Sequence, residues 1–145
     1  MAGAQVVPLF YHYTTAQLDG ILSKINGVFF PGGEMPIDKN NQWTSNIQYI
    51  FDYANKQNEK GNPFPIWATC LGYEAVMYLF SGREDNMTTL TRVNGQRGLP
   101  CNLTVKNSSS ILLKSLSAQE YKEVTTGDGL LWFHHTWAIT LKTYQ

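Results

Sequence analysis

The chain has 145 residues, of which 43% are hydrophobic, 13% aromatic and 15% charged; this is the size of one domain, and the composition excludes disorder as the main state. Eleven basic and eleven acidic side chains cancel to zero net charge, so no net field draws the chain onto nucleic acid or an anionic membrane. Two cysteines, Cys70 and Cys101, are too few for a disulfide scaffold and lack the paired spacing of a zinc site.

No apolar run reaches the roughly 18 residues of a membrane span. The start, Met1-Ala2-Gly3-Ala4-Gln5, has neither the basic opening nor the apolar middle of a signal peptide, so the chain as written carries no address for secretion.

Taken in order, Val6 to Tyr11 is a β-branched and aromatic run that predicts a strand, with Pro8 suited to its start or to an edge. Thr14 or Thr15 can cap a helix whose Leu18, Ile21, Leu22 and Ile25 fall on one face. Val28-Phe29-Phe30 reads as a short buried strand that runs into the tight loop Pro31-Gly32-Gly33. Thr44 or Ser45 then opens a second helix with Ile47, Ile50, Phe51 and Ala54 inward, closing near Lys60-Gly61. Ile66 to Thr69 reads as a third strand and Leu71 to Phe80 as a third helix, ended by Ser81-Gly82. Alternating strands and helices predict an α/β fold with a parallel sheet covered on both faces.

Beyond Gly82 the pattern loosens. Short strands are expected around Thr88 to Thr91 and Ile111 to Leu113, and Ser117 with Glu120 has the capping-box spacing for one more helix. Trp132 to Tyr144 alternates as a last strand, with His135, Trp137, Ile139 and Leu141 on one face. No linker or repeat divides residues 1–145, which read as a single domain.

The stretch Ile66-Trp67-Ala68-Thr69-Cys70-Leu71-Gly72-Tyr73-Glu74 carries the chemistry. A strand that ends in a nucleophile and doubles back into a helix needs small residues two positions either side of it, and Ala68 and Gly72 stand there. Such a turn sets the sulfur at the positive end of a helix, which favours the attacking thiolate. The alternative is a buried cysteine packed as a small hydrophobe. Gly32 and Gly33 follow a neighbouring strand, where glycine lets backbone N–H groups approach an oxyanion closely. With the N–H of Leu71, that loop would complete a two-donor oxyanion hole; taken alone it is an ordinary turn.

These residues resemble the gamma-glutamyl hydrolase family, cysteine peptidases of the class I glutamine amidotransferase-like superfamily. Asn26-Gly27-Val28-Phe29-Phe30-Pro31-Gly32-Gly33 is similar to the family's N-G-V/I-L-F-P-G-G, and Phe64-Pro65-Ile66-Trp67-Ala68-Thr69-Cys70-Leu71-Gly72-Tyr73-Glu74 to F-P-V/I-W-G-T-C-L-G-F-E. Weaker likenesses run through Leu99 to Thr104 and His135 to Thr140. The resemblance implies a three-layer α/β sandwich with a mostly parallel central sheet and a flavodoxin-like core, present here in part. It implies Cys70 as nucleophile, Gly33 and Leu71 as oxyanion donors, and Gly32 and His135 beside the substrate. The implied reaction is cleavage of gamma-glutamyl bonds of folate polyglutamates through a thioacyl-enzyme, with neither metal nor organic cofactor.

The family pattern extends further at both ends. Its general-base histidine lies in a Q-W-H-P-E segment that these 145 residues do not contain, and it begins with a strand and a helix ahead of the part that Ala2 to Pro8 resembles. A general base is worth roughly 10²- to 10⁴-fold, so the chain by itself is expected to be slow or to stop after one turnover. Its partner is expected to be a gamma-glutamyl substrate, with a homodimer or a complementing chain left open, and the chain alone is expected to be marginally stable. Two other readings stay open: a non-catalytic gamma-glutamyl binding module and a glutamine amidotransferase subunit.

His12 reads as a surface residue, and His134 and His135, adjacent on a strand, point to opposite faces. Cys101 stands where the family has leucine and reads as core. Asn86, Asn102 and Asn107 each begin an Asn-x-Ser/Thr triplet, weak glycosylation signals singly. Together with the resemblance they imply a lysosomal or extracellular protein.

Overall fold

The computed structural model describes residues 3–38, 40–81, 90–92, 97–102, 104–127, 131–134 and 137–138, with backbone alone at 97–101 and 131–134. Its contacts divide the chain into two compact units, Met1–Thr91 with Ile139–Gln145, and Arg92–Ala138.

In the first unit, α1 (Thr15–Leu22) is opened by Thr14, whose hydroxyl accepts from the Gln17 N–H while the Gln17 side chain accepts from the Thr14 N–H, a reciprocal capping box. Leu18 and Leu22 are buried and Ile21 is half-buried, the spacing of one helical face. Strand β1 (Val28–Phe30) follows, then α2 (Gln42–Glu59), strand β2 (Ile66–Ala68) and α3 (Leu71–Phe80). The two strands pair in parallel, Val28 with Ile66, Phe29 with Trp67 and Phe30 with Ala68. Parallel neighbours need a crossover of a dozen or more residues, and α2 supplies it.

Helix α2 starts earlier than its sequence suggests. Asn41 is the cap, its carboxamide oxygen accepting from the Trp43 N–H at 2.9 Å, and Thr44 sits inside the helix, buried with its hydroxyl unpartnered. The inner face is as expected, with Ile47, Ile50 and Ala54 buried and the Phe51 ring edge-on to Phe80 at 5.3 Å. Asn58 returns the chain to β2, accepting from the Phe64 N–H at 2.8 Å and donating to the Phe64 carbonyl at 3.2 Å. Helix α3 packs on β1 and β2, α2 on α3, and α1 on α2. Phe30, Leu71, Ala75 and Tyr78 join the helix residues in the core, each large apolar side chain contributing about 1.5–3 kcal/mol.

The strand expected at Val6 to Tyr11 is absent. These residues form no ladder, and Val6 is 80% and Tyr11 58% exposed. Strand propensity needs a partner strand to act on, and among the described residues none pairs with this run. Its end is instead pinned by a side chain: Asn46 of α2 donates to the carbonyls of Tyr11 at 2.8 Å and Tyr13 at 2.9 Å.

β3 (Thr91–Arg92) lies at the junction between the units. In the second unit, β4 (Arg97–Cys101) and β5 (Leu131–His134) pair antiparallel, Pro100 opposite Trp132, with an irregularity between Arg97 and Leu99. β4 has no counterpart in the sequence reading. Ile111 to Leu113, expected as a strand, is the helix α4 (Ile111–Lys114), closed by the Lys114 N–H on the Ser110 carbonyl at 3.0 Å. A three-residue apolar run does not separate helix from strand, and the turn at Asn107 to Ser110 decides for helix. Helix α5 (Ala118–Thr126) carries the expected capping box of Ser117 and Glu120. Within the last predicted strand, β5 and then β6 (Trp137–Ala138) are extended; the rest of that run, the Thr88 and Thr89 part of the expected earlier strand, and the Cys101 side chain lie outside the described residues.

The architecture is thus mixed α/β, with β1 and β2 paired in parallel and β4 and β5 antiparallel.

Candidate functional site at the strand-to-helix turn

Cys70 is the last residue before α3 and has φ 54° and ψ −118°. Among the described residues it alone combines a side chain with positive φ, a conformation that costs of order 1–3 kcal/mol and persists only where its surroundings hold it. They hold it from both sides. The Thr69 N–H donates to the Phe30 carbonyl at 3.0 Å, the Gly72 N–H to the carbonyls of Thr69 at 3.0 Å and Pro31 at 3.2 Å, and the Glu74 N–H to the Cys70 carbonyl at 3.0 Å. Each ties the turn to the carboxyl end of β1 or to the first turn of α3.

The glycines make the approach sterically feasible. A Cβ on Gly72 would stand 2.4 Å from the Phe30 carbonyl oxygen and 2.6 Å from the Phe30 Cβ, so only glycine fits. On the other loop, a Cβ on Gly32 would stand 3.1 Å from the Cys70 Cβ and 3.5 Å from its Sγ, and one on Gly33 3.5 Å from Leu71 Cδ2. Four of the residues singled out in the sequence, Gly32, Gly33, Cys70 and Leu71, therefore stand together. Gly32 and Gly33 are exposed, Cys70 is half-buried and Leu71 is buried. The sulfur lies at the carboxyl ends of two parallel strands, where open α/β sheets take their ligands.

The Trp67 indole N–H donates to the Thr69 hydroxyl at 3.2 Å, beside the nucleophile turn. A separate cavity of about 190 Å³ lies among Asn26, Pro63 and Phe64, just ahead of the strands, and includes none of the four residues.

His12 is exposed and stacks on the Phe10 ring at 5.6 Å. Asn102 and Asn107 are exposed in the second unit. His135 and Asn86 lie outside the described residues. Sequence reasoning missed the buried Asn46, 5% exposed; an asparagine flanking the inward Ile47 and Ile50 was the available signal.

The class these features define is an α/β protein with cysteine at a strand-to-helix turn against a Gly-Gly loop. No family model matches the chain. Curated relatives do: it is 31% identical over 143 residues to the gamma-glutamyl hydrolase of Rattus norvegicus, 29% over 145 residues to gamma-glutamyl hydrolase B of Dictyostelium discoideum, and 26% over 143 residues to the gamma-glutamyl hydrolase of Homo sapiens. Each alignment covers 99% of this chain and 44%, 41% and 43% of the respective relative. The chain spans less than half the length of the curated relatives it matches. Along nearly its whole length the chain is similar to gamma-glutamyl hydrolases.

Proposed function

We propose that the chain carries the nucleophile half of a gamma-glutamyl hydrolase site and that Cys70 attacks the side-chain carbonyl of a gamma-linked glutamate. The close seat of Gly32 against Cys70, 3.1 Å from a would-be Cβ to the cysteine Cβ, supports this reading, because an oxyanion formed on attack by Cys70 would then lie beside the Gly-Gly loop. The thiolate adds to the carbonyl carbon, and the N–H groups of Gly33 and Leu71 receive the oxyanion. The amine leaves with a proton, a thioester on Cys70 remains, and water hydrolyses it to restore the thiol. In this reading His135 and Gly32 border the substrate, a folate polyglutamate or another gamma-glutamyl amide, and no cofactor takes part. Taking the proton from the thiol and handing it on to the leaving amine calls for a group that acts first as base and then as acid, such as the family's Q-W-H-P-E histidine, supplied from outside these 145 residues. A complementing polypeptide is the proposed source, a homodimer being a proposed assembly that would not itself supply the base, and passage through the secretory route to lysosomes or the cell exterior is the proposed location.

The test is to incubate the chain, and Cys70→Ala, with a folate polyglutamate and to measure the intact mass and the released glutamate. A covalent acyl adduct on the first protein and none on the second is the expected result. No adduct and no release from either would sink the catalytic assignment. Calorimetric binding without an adduct would favour the non-catalytic binding module instead.

A further inference from the structure

The residue ahead of the nucleophile is fastened through every polar group it has. The Thr69 N–H donates to the Phe30 carbonyl at 3.0 Å, the Thr69 carbonyl accepts from the Gly72 N–H at 3.0 Å, and the Thr69 hydroxyl accepts from the Trp67 indole N–H at 3.2 Å. An indole N–H can only donate, so the last bond sets a direction as well as a position. Trp67 occupies a lone pair of the hydroxyl, and among the described residues nothing receives its proton. Thr69 is exposed and stands with Cys70 at the carboxyl ends of β1 and β2. A hydroxyl that already accepts a hydrogen bond is a stronger donor for the next. The nucleophile thus has a preset donor as its immediate neighbour in the chain.

Neither Asn26 to Gly33 nor Phe64 to Glu74 contains a lysine or an arginine. Within those segments a carboxylate is therefore met by hydroxyl and backbone N–H groups. A gamma-linked glutamate brings such a carboxylate, because its α-carboxyl group is free and lies a short methylene chain away from the carbonyl that is attacked. We propose that Thr69 is a specificity-determining residue, whose hydroxyl, held by Trp67, donates to the α-carboxylate of the glutamate that acylates Cys70. This rests on the acyl-transfer reading proposed above, and it names the group by which that substrate is told from other amides. Trp67 acts through Thr69 and is a positioning residue.

The experiment offers the full chain the p-nitrophenyl γ-ester of N-acetylglutamate or the p-nitrophenyl ester of N-acetyl-γ-aminobutyrate, which differs by lacking the α-carboxylate. The activated ester needs no acid for its leaving group. The Cys70 thiolate bonds to the carbonyl carbon, the carbon–oxygen bond breaks, and p-nitrophenolate departs with the electron pair, leaving a thioester. Its release is timed, the adduct is weighed by mass spectrometry, and Cys70→Ala supplies the blank. The readout is the ratio of the two acylation rates within each protein, which a general loosening of the turn would leave unmoved. A hydrogen bond to a charged group corresponds to a preference of roughly tenfold for the glutamate ester. The wild type and Thr69→Ser are expected to show it, Thr69→Val to lose it, and Trp67→Phe, which keeps a ring without the N–H, to lose part of it. A wild-type ratio near unity, or a Thr69→Val ratio equal to that of the wild type, overturns the proposal and leaves the acyl-transfer reading standing. Should Thr69→Val fail to fold, an unchanged ratio in Trp67→Phe counts against it in the same way. Absence of a Cys70 adduct from both esters sinks the acyl-transfer reading and this proposal with it.

Discussion

Gly72 and the carbonyl of Phe30 stand so close that a single methyl group on the glycine would lie 2.4 Å from the oxygen. This contact ties the first turn of α3 to the last residue of β1, and through it the cysteine turn to the Gly-Gly loop. Gly72→Ala is therefore expected to cost about 1–3 kcal/mol, the range for overpacking a site whose neighbour is backbone. Gly20, in α1, meets nothing within 4 Å, and Gly20→Ala is expected to stabilise by about 0.5–1 kcal/mol through helix propensity alone. Urea midpoints of the two variants, moving in opposite directions from the parent, would check the pair.

The strain at Cys70 predicts a trade between stability and chemistry. Cys70→Gly removes the side chain from a backbone conformation that disfavours one, and a gain of about 1 kcal/mol is expected, while any acyl adduct is lost. Cys70→Ala keeps the Cβ and the strain, so it should lose the adduct without that gain. Thermal unfolding of the three proteins side by side distinguishes them; equal stability of the glycine and alanine variants would mean that the turn stores no strain.

Asn46 makes the segment from Tyr11 to Tyr13 a structured element in place of a strand. Its carboxamide donates to both carbonyls and accepts from the Gln42 side chain at 2.9 Å. Asn46→Ala is expected to cost about 1–3 kcal/mol, the range for lost buried hydrogen bonding. Asn46→Asp should be worse, because it sets a carboxylate against two carbonyl oxygens in a site that is 5% exposed. Limited proteolysis after Phe10 and Tyr11, quickened in both variants, would report release of the segment.

Glu120 titrates below the usual carboxylate value because the Ser117 hydroxyl and backbone N–H hydrogen-bond to its charged form. Its contribution to the start of α5 is thus fully present above the unfolded value and is lost as pH falls through the lower folded one. A carboxylate at a helix start is also favoured by the helix dipole, so at neutral pH Glu120→Gln should show slightly less helix by circular dichroism. The difference should vanish in acid. The group is solvent-exposed, so raising the salt concentration should shrink the gap as well.

The first half of the fold was legible in the sequence because its signals were local. Leu18 and Leu22 at helical spacing, the Thr14 cap and the apolar Val28 to Phe30 needed no knowledge of distant partners. Cys70, Gly32, Gly33 and Leu71 were legible for the same reason, as spacing around two turns. What failed depended on partners. Val6 to Tyr11 has the composition of a strand and, among the described residues, no ladder to join, and Ile111 to Leu113 is too short an apolar run to reveal its period. The Gly72 contact was hidden because it exists only through the parallel register that sets Phe30 opposite Ala68.

That same register stacks Phe29 directly beside Trp67, 57% and 55% exposed, on the strand face opposite buried Phe30. Two large exposed aromatic side chains at paired strand positions form an adhesive patch. The colloidal behaviour of the chain should then depend on concentration, with light scattering that grows on concentrating the protein and falls in Trp67→Lys. Scattering unchanged by that substitution would place the stickiness elsewhere. The patch makes solubility, as well as chemistry, a property of how the two short strands are aligned.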